Sequence, residues 1–426
     1  MPIKSLAIIC VHASPLARLG GDKAGGMNVY VRELAQEFGS RGIQVDIFTR
    51  YTHPDTPQID MSLGNQVRVI SLEAGPRAPM QPNDVIGHLQ QFTRQLIDFV
   101  ANQGMRYDLI HSHYWLSGVV AHQLRENWGT PFVQMFHTLG QMKNRITNSL
   151  PVTPSLPDIR VTYETKVVEW ADALIAATRA EYTQLLWLYR ADRRKIEIIP
   201  PGYNPDLFYP TDMESARRSI GATKTRHIFV FVGRLEPLKA IDSILEALSL
   251  IAQSRQDLLL SMELIVVGGN LDDHDPELNR LKALTTQLQV EEQVRFIGSQ
   301  EHSRLRELYA AATAVLMPSD YESFGMVALE AMASGAPVIA SEVGGLAYLV
   351  KDEETGFLVP SREPAELAAH MVDIMENPDL QRRMSKAAVQ AAAQYSWGNI
   401  ADQLEVVFQQ AIMKTITNRR MSSEYP

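Results

Sequence analysis

Short runs of aliphatic and β-branched residues alternate along this chain with stretches in which apolar positions recur every three or four residues. In the first half the runs are SLAIICVH, VDIFTR, VRVISL, DLIHSH, PFVQMFH, ADALIAAT and KIEIIPPG, with helical patterns over Met27 to Gly39 and Val85 to Gln103. Strands separated by helices predict parallel β-α-β units. The series stops near Gly202, in PPGYNPDLFYP, whose four prolines can continue neither a helix nor a central strand. A second series follows: HIFVFVGR, a helix over Ala240 to Ala252, MELIVVGG, a helix near Pro276 to Leu288, VRFIG, a helix from Glu301 to Ala312, AVLMPS, a helix after Phe324, PVIASE and GFLVP. The pattern predicts an α/β protein of two doubly wound domains, residues 1–202 and 203–397, facing across a cleft at the carboxyl ends of their strands. The last segment, with Leu404, Val407, Phe408 and Ile412 on one stripe, predicts a helix over 398–418 returning to the first domain, then a frayed tail.

Composition narrows the chemistry. The 426 residues carry a net charge of 40 − 49 = −9, with acids and bases interspersed. That leaves no basic face for nucleic acid and no polybasic patch for a membrane, so phosphate-bearing ligands must be met by local clusters. Cys10, the one cysteine, lies in an apolar run, which excludes a disulfide framework or a cysteine zinc site and predicts a small buried hydrophobe. The apolar start of the chain is too short to span a bilayer, and a cytoplasmic protein is expected.

The densest chemistry lies in SDYESFGMVALEAMASGAPVIASEVGG. A strand ends there in a polar loop, Ser323 or Glu322 can cap a helix starting near Phe324, and Gly335 with Pro337 ends it. The free amides of Gly325, Met326 and Val327, with the helix dipole, would attract a diphosphate. Glu330 leans back toward the helix start and can accept from a ribose diol, while Glu322 reaches the hydroxyls of a sugar beyond the diphosphate. E-x7-E by itself favours two solvated acids. Its placement at a strand-to-helix turn, followed by the pair Gly344-Gly345, carries the reading.

In that setting ESFGMVALEAMASGAPVIAS resembles the signature of the retaining GT-B glycosyltransferases of family 4, and with the motifs below the resemblance covers essentially the whole chain. It implies two Rossmann-like domains and transfer of a sugar from a UDP-sugar, with Phe324 among the donor-binding residues. It also implies that Arg234 and Lys239, in FVFVGRLEPLKA, clamp the diphosphate whose charge develops on leaving. Asp273-His274-Asp275 forms a D-x-D, read as an acidic surface loop, so no metal and no cofactor is expected.

In the first half, Gly20-Gly21 and Gly25-Gly26 precede a helix. The spacing is not G-x-G-x-x-G and Asp46 falls inside the next strand, so dinucleotide binding is not expected. The resemblance implies instead that Gly25 and Gly26 close over the transferred sugar, with Asn28 near the acceptor. His113, Tyr114, His137, Thr138 and Lys143 fall at carboxyl ends of strands, which makes them site candidates. A zinc site on His111 and His113 lacks a third ligand of sensible spacing. The resemblance sets His137 against the donor sugar, giving it a catalytic role with Arg234, Lys239 and Glu322. It assigns the phosphate of a phosphorylated acceptor to Tyr114, Lys143 and Arg160, with Thr138 among the acceptor residues. Arg145 adds to this group of cations, and Arg77, in a proline-rich loop, is a candidate to join it.

Two acceptors compete. GGMNVYV, HSHYWLSG and YESFGMVALEA look most like the mycothiol-pathway transferases that glycosylate inositol phosphate, whereas the loop Gly269 to Asp275 is similar to one in sucrose-phosphate synthases. A gapless count from Ala74-Gly75-Pro76 sets Pro82 where the first group uses a phosphate-binding lysine. The expectation is therefore a sucrose-phosphate synthase using UDP-glucose and fructose 6-phosphate, with inositol-phosphate N-acetylglucosaminyl transfer as the alternative. The resemblance implies retention by front-face attack, in which the departing phosphate oxygen takes the acceptor proton and no protein nucleophile is needed. Epimerases and silent sugar-nucleotide binders share the architecture and stay open.

Overall fold

The computed structural model describes residues 2–17, 25–142, 158–222, 227–271 and 275–424, with side chains as far as Arg419. The chain forms two compact units, one of residues 1–17, 26–200 and 397–426 and the other of residues 18–25 and 201–396.

In the first unit the strands are β1 (Ser5–Ile9), β2 (Gln44–Arg50), β3 (Ile59–Asp60), β4 (Val67–Leu72), β5 (Leu109–His113), β6 (Phe132–Met135), β7 (Ala173–Ala176) and β8 (Ile196–Ile198). They lie in the order β3-β4-β2-β1-β5-β6-β7-β8. The described pairings are parallel except that of the two-residue β3, which the sequence pattern did not signal. Leu6 of β1 faces Val45 on one side and Leu109 on the other. The central strands are buried on both faces, as in parallel sheets covered by helices, with Asp46, His111 and His113 among the buried polar residues they carry.

The helix Gly26–Ser40 buries Val31, Leu34 and Phe38. Against it rests the C-terminal helix Trp397–Glu424, with Phe38 and Phe408 ring centroids 5.8 Å apart and Arg41 paired to Asp402 and Glu405. The expected stripe of Leu404, Val407, Phe408 and Ile412 is buried. The segment expected to fray is helical through Glu424, since neither proline nor glycine interrupts it after Gly398. Cys10 is buried, its thiol donates to the Ala13 carbonyl at 2.8 Å, and burial pushes its pKa up to about 12. Asp46 is consumed structurally, bonded to Arg68 at 2.7 and 2.8 Å and to the Tyr107 hydroxyl, consistent with its place inside a strand.

The second unit holds β9 (His227–Val232), β10 (Met262–Val267), β11 (Val294–Phe296), β12 (Ala314–Met317), β13 (Val338–Ser341) and β14 (Gly356–Val359), all parallel in the order β11-β10-β9-β12-β13-β14. Ile244 and Leu248 of the helix Ile241–Ser254 and Leu367 and Met371 of Pro364–Glu376 join one core. The proline-rich segment is irregular but anchored, with Phe208 buried against Tyr309. Among the parallel strands of each sheet the order reverses once, between β1 and β5 and between β9 and β12, and ligands of doubly wound sheets bind at the carboxyl ends beside such reversals. Among the described residues no helix is long and apolar enough to cross a membrane.

Candidate active site

In the second unit the loops leaving β9 and β12 bring together Lys239 and Glu322. Lys239 ends a tight turn, Pro237–Lys239, after which Ala240 at φ 50° swings the chain into the helix Ile241–Ser254. Its Nζ lies 2.6 Å from Glu322 Oε2, with both side chains about four-fifths covered. Arg234, two residues past β9, pairs with Glu236 of its own loop at 2.7 Å and is half exposed.

The segment from Glu322 to Gly325 is held by close backbone approach. Gly344, at φ 48°, lies so near that a Cβ there would fall 1.9 Å from the Glu322 carbonyl oxygen, and the Gly345 N–H donates to that oxygen at 2.9 Å. Gly325 adopts φ 103° and precedes the helix Met326–Ala333, which has no side-chain cap. The helix therefore begins two residues later than the expected Phe324, and neither Ser323 nor Glu322 caps it. The left-handed turn at Gly325 is the reason: it leaves Phe324 outside the helix, buried against the ring of Tyr395. The amides of Met326 and Val327 are left without a side-chain cap at the positive end of the dipole, a geometry suited to an anion. Glu330, one turn on and buried, accepts from the Tyr309 hydroxyl at 3.2 Å. Burial and the Glu330 carboxylate raise the pKa of Tyr309 well above its usual value.

In the first unit two non-glycine residues take left-handed backbone at strand ends, Tyr114 at φ 72° after β5 and His137 at φ 63° after β6. Such conformations cost roughly 1–3 kcal/mol each and gather at functional sites. His113 Nδ1 and His137 Nε2 are 2.8 Å apart, one ring donating to the other. Burial pushes His111 and His137 down to about 3 and His113 well below its usual value, so all three rings are neutral at ordinary pH. The Tyr30 ring lies edge-on to His137 at 5.1 Å and to Trp397 at 5.2 Å. Nearby, Glu181 accepts from the Ala177 N–H at 2.7 Å, and burial raises its pKa to about 7.

Arg160 meets Tyr114 and Thr138. Its guanidinium lies 4.8 Å from the Tyr114 ring centroid and donates to the Thr138 carbonyl at 2.6 Å and hydroxyl at 3.0 Å. Its Nε donates to Glu164 at 2.7 Å, and Glu164, fully buried, also accepts from the Gly140 N–H and the Tyr189 hydroxyl. Asn28 ties the start of its helix to the loop after β1 through the Ser14 carbonyl at 2.7 Å. Gly25 and Gly26 form the entry to that same helix. Arg77 is engaged elsewhere, paired with Glu73 and stacked 3.9 Å over the Tyr51 ring. Lys143, Arg145, Gly20, Gly21, Asp273 and His274 lie outside the described residues.

Several participants escaped the sequence reading. His12, in the loop after β1, lies tilted against the Tyr114 ring with centroids 4.2 Å apart, and its position at the end of the first apolar run could have drawn notice. Glu164 stands four residues after Arg160 on one helix, and Glu181 completes a Thr-x-x-Glu capping box with Thr178, so i,i+4 pairing and helix-start signals could have pointed to both.

Residues 25–202 match the family model described as glycosyl transferase 4-like domain, and residues 212–391 that described as glycosyl transferases group 1. The chain belongs to the GT-B glycosyltransferases of family 4. This glycosyltransferase is 38% identical over 426 residues to the D-inositol 3-phosphate glycosyltransferase of Acidothermus cellulolyticus, covering 99% of this chain and 94% of that one. It is equally 38% identical to the protein of the same name from Actinosynnema mirum, over 96% of this chain and 98% of that one. The solved sucrose-phosphate synthase of Thermosynechococcus elongatus is similar with a TM-score of 0.86 and 33% identity, over 96% of this chain and 100% of that one. These names support the inositol-phosphate alternative better than the sucrose-phosphate expectation. The count that led to Pro82 ran through an irregular loop before the helical turn Pro82–Val85, and loops tolerate insertions, so a one-for-one count does not equate positions there.

Proposed function

We propose that this glycosyltransferase moves a sugar from a UDP-sugar to an inositol phosphate with retention of configuration. The observation that carries the acceptor is the 38% identity, over nearly the whole chain, to relatives named D-inositol 3-phosphate glycosyltransferase. Arg160 adds support: a guanidinium prepositioned by Glu164 and Thr138 and stacked on Tyr114 is chemistry suited to a phosphate. In this reading Lys239 and the amides of Met326 and Val327 take the donor diphosphate, joined by Arg234 once it exchanges Glu236 for phosphate oxygen. Glu330 accepts from the ribose and Glu322 from the sugar hydroxyls.

The acceptor hydroxyl attacks the anomeric carbon as the bond to the diphosphate breaks, and the leaving phosphate oxygen takes the proton. His137, uncharged across the ordinary pH range, orients a sugar hydroxyl by hydrogen bonding rather than by charge. The protein contributes position and charge stabilisation without a covalent intermediate.

A second reading, UDP-glucose with fructose 6-phosphate, is favoured by the TM-score of 0.86 to a sucrose-phosphate synthase. UDP release distinguishes the two when UDP-N-acetylglucosamine and UDP-glucose are each supplied with D-inositol 3-phosphate, fructose 6-phosphate or neither. Release that depends on the inositol phosphate is expected. Dependence on fructose 6-phosphate selects the second reading, and UDP binding with no release in any arm removes both.

A further inference from the structure

The turn after β14 sends a side chain back to the loops that carry Lys239 and Glu322. Arg362, at φ 61°, forks onto Asp320, with Nε 2.9 Å from Oδ1 and Nη2 2.6 Å from Oδ2. The same guanidinium reaches Asp242 Oδ2 at 2.8 Å through Nη1 and the Pro237 carbonyl at 2.9 Å through Nη2. Ser361 adds its hydroxyl to Asp320 at 2.7 Å, and the Asp320 N–H donates to the Leu238 carbonyl at 2.9 Å. Pro237 and Leu238 immediately precede Lys239, and Asp320 stands two residues before Glu322. One planar cation thus joins the turn that aims the ammonium to the loop that aims the carboxylate.

We infer that Arg362 is a positioning residue for the donor site, acting through Lys239 and Glu322 without touching the donor. The inference rests on the proposed role of Lys239 at the diphosphate. Energetics favour position over stability as its purpose. The Arg362 side chain is 43% exposed, and exposed ion pairs stabilise little, whereas its left-handed backbone is itself unfavourable. Lysine cannot replace it, because a point charge cannot fork onto one carboxylate while also reaching a second carboxylate and a carbonyl.

The test is UDP affinity, measured by calorimetry on the full chain for Arg362→Ala, Arg362→Lys, Lys239→Ala and the double variant Lys239→Ala/Arg362→Ala. Arg362→Ala is expected to weaken UDP binding about fivefold to tenfold, and Arg362→Lys to recover only part of that. Melting temperature should stay within about 3 °C of the parent. In the Lys239→Ala background the same Arg362→Ala change should add less than about twofold, because it acts through the lysine already lost. If Arg362→Ala does not fold, Arg362→Lys in the two backgrounds carries the same comparison. Equal losses in both backgrounds, or no loss in the parent, overturn the inference while leaving the donor reading in place. Unchanged UDP binding in Lys239→Ala overturns the donor reading and the positioning role together.

Discussion

Lys239 Nζ and Glu322 Oε2 stand 2.6 Å apart where the strand order of the second unit reverses. The cation proposed for the diphosphate is therefore neutralised by the carboxylate proposed for the sugar. When a diphosphate arrives, the ammonium exchanges one anion for another and frees the carboxylate to accept from hydroxyls.

That exchange makes opposite demands on the two partners. Lys239→Ala should lower kcat/KM at least about tenfold with folding intact. Glu322→Gln should leave UDP affinity unchanged or raise it about threefold, since the lysine no longer has to abandon an anion, while turnover falls about tenfold. Calorimetry with UDP and steady-state kinetics separate the effects. Equal loss of UDP affinity in both variants would mean that the pair is only a structural brace.

Gly344→Ala places a Cβ where the Glu322 carbonyl oxygen already lies, at a φ of 48°. The loop must shift, at an expected loss of about 2 kcal/mol of stability and a drop in turnover. Urea denaturation and kinetics on the surviving folded protein check this, and a fully active variant would show that the loop has slack.

Arg160→Lys keeps the charge but cannot reproduce the stacking on Tyr114 together with the bonds to Glu164 and Thr138. Acceptor KM should rise about tenfold while UDP affinity stays constant. A matching loss in UDP affinity would remove Arg160 from the acceptor.

Glu181 predicts a pH effect of definite sign. Folding raises its pKa from 4.5 to about 7, so its contribution to stability is fully present below 4.5 and lost as pH rises through 7. His111 and His137 act oppositely: folding lowers them from 6.5 to about 3, and the stability they contribute above 6.5 is lost as pH falls toward 3. Glu181→Gln keeps an acceptor for the Ala177 N–H and removes the charge. Relative to the parent it should be nearly neutral at pH 4.5 and stabilising by about 1–3 kcal/mol at pH 8. Thermal melts of the two proteins from pH 4.5 to 8 check it, and a difference that does not change with pH would show that Glu181 ionises normally.

The linear order of residues dictates the alternating elements, the class of fold and the strand-to-helix turn that carries Glu322 and Glu330, because apolar period, turn residues and helix signals are local and repeat along the chain. It also determined that Tyr114, Thr138 and His137 stand at strand ends, since a strand's carboxyl end is read from where its apolar run stops. The folded chain, by pressing Gly344 and Gly345 onto the loop, is what delays the helix past Gly325 to Met326. It alone decided that the Arg160–Glu164 pair is held by Thr138 and Tyr189, that His12 faces Tyr114, and that Arg362 reaches Asp242 from 120 residues away. Such contacts depend on the order and twist of the strands, which a single chain's periodicity does not encode; apart from Arg160 and Glu164, four apart on one helix, the side chains that meet there share no spacing that a linear pattern could display.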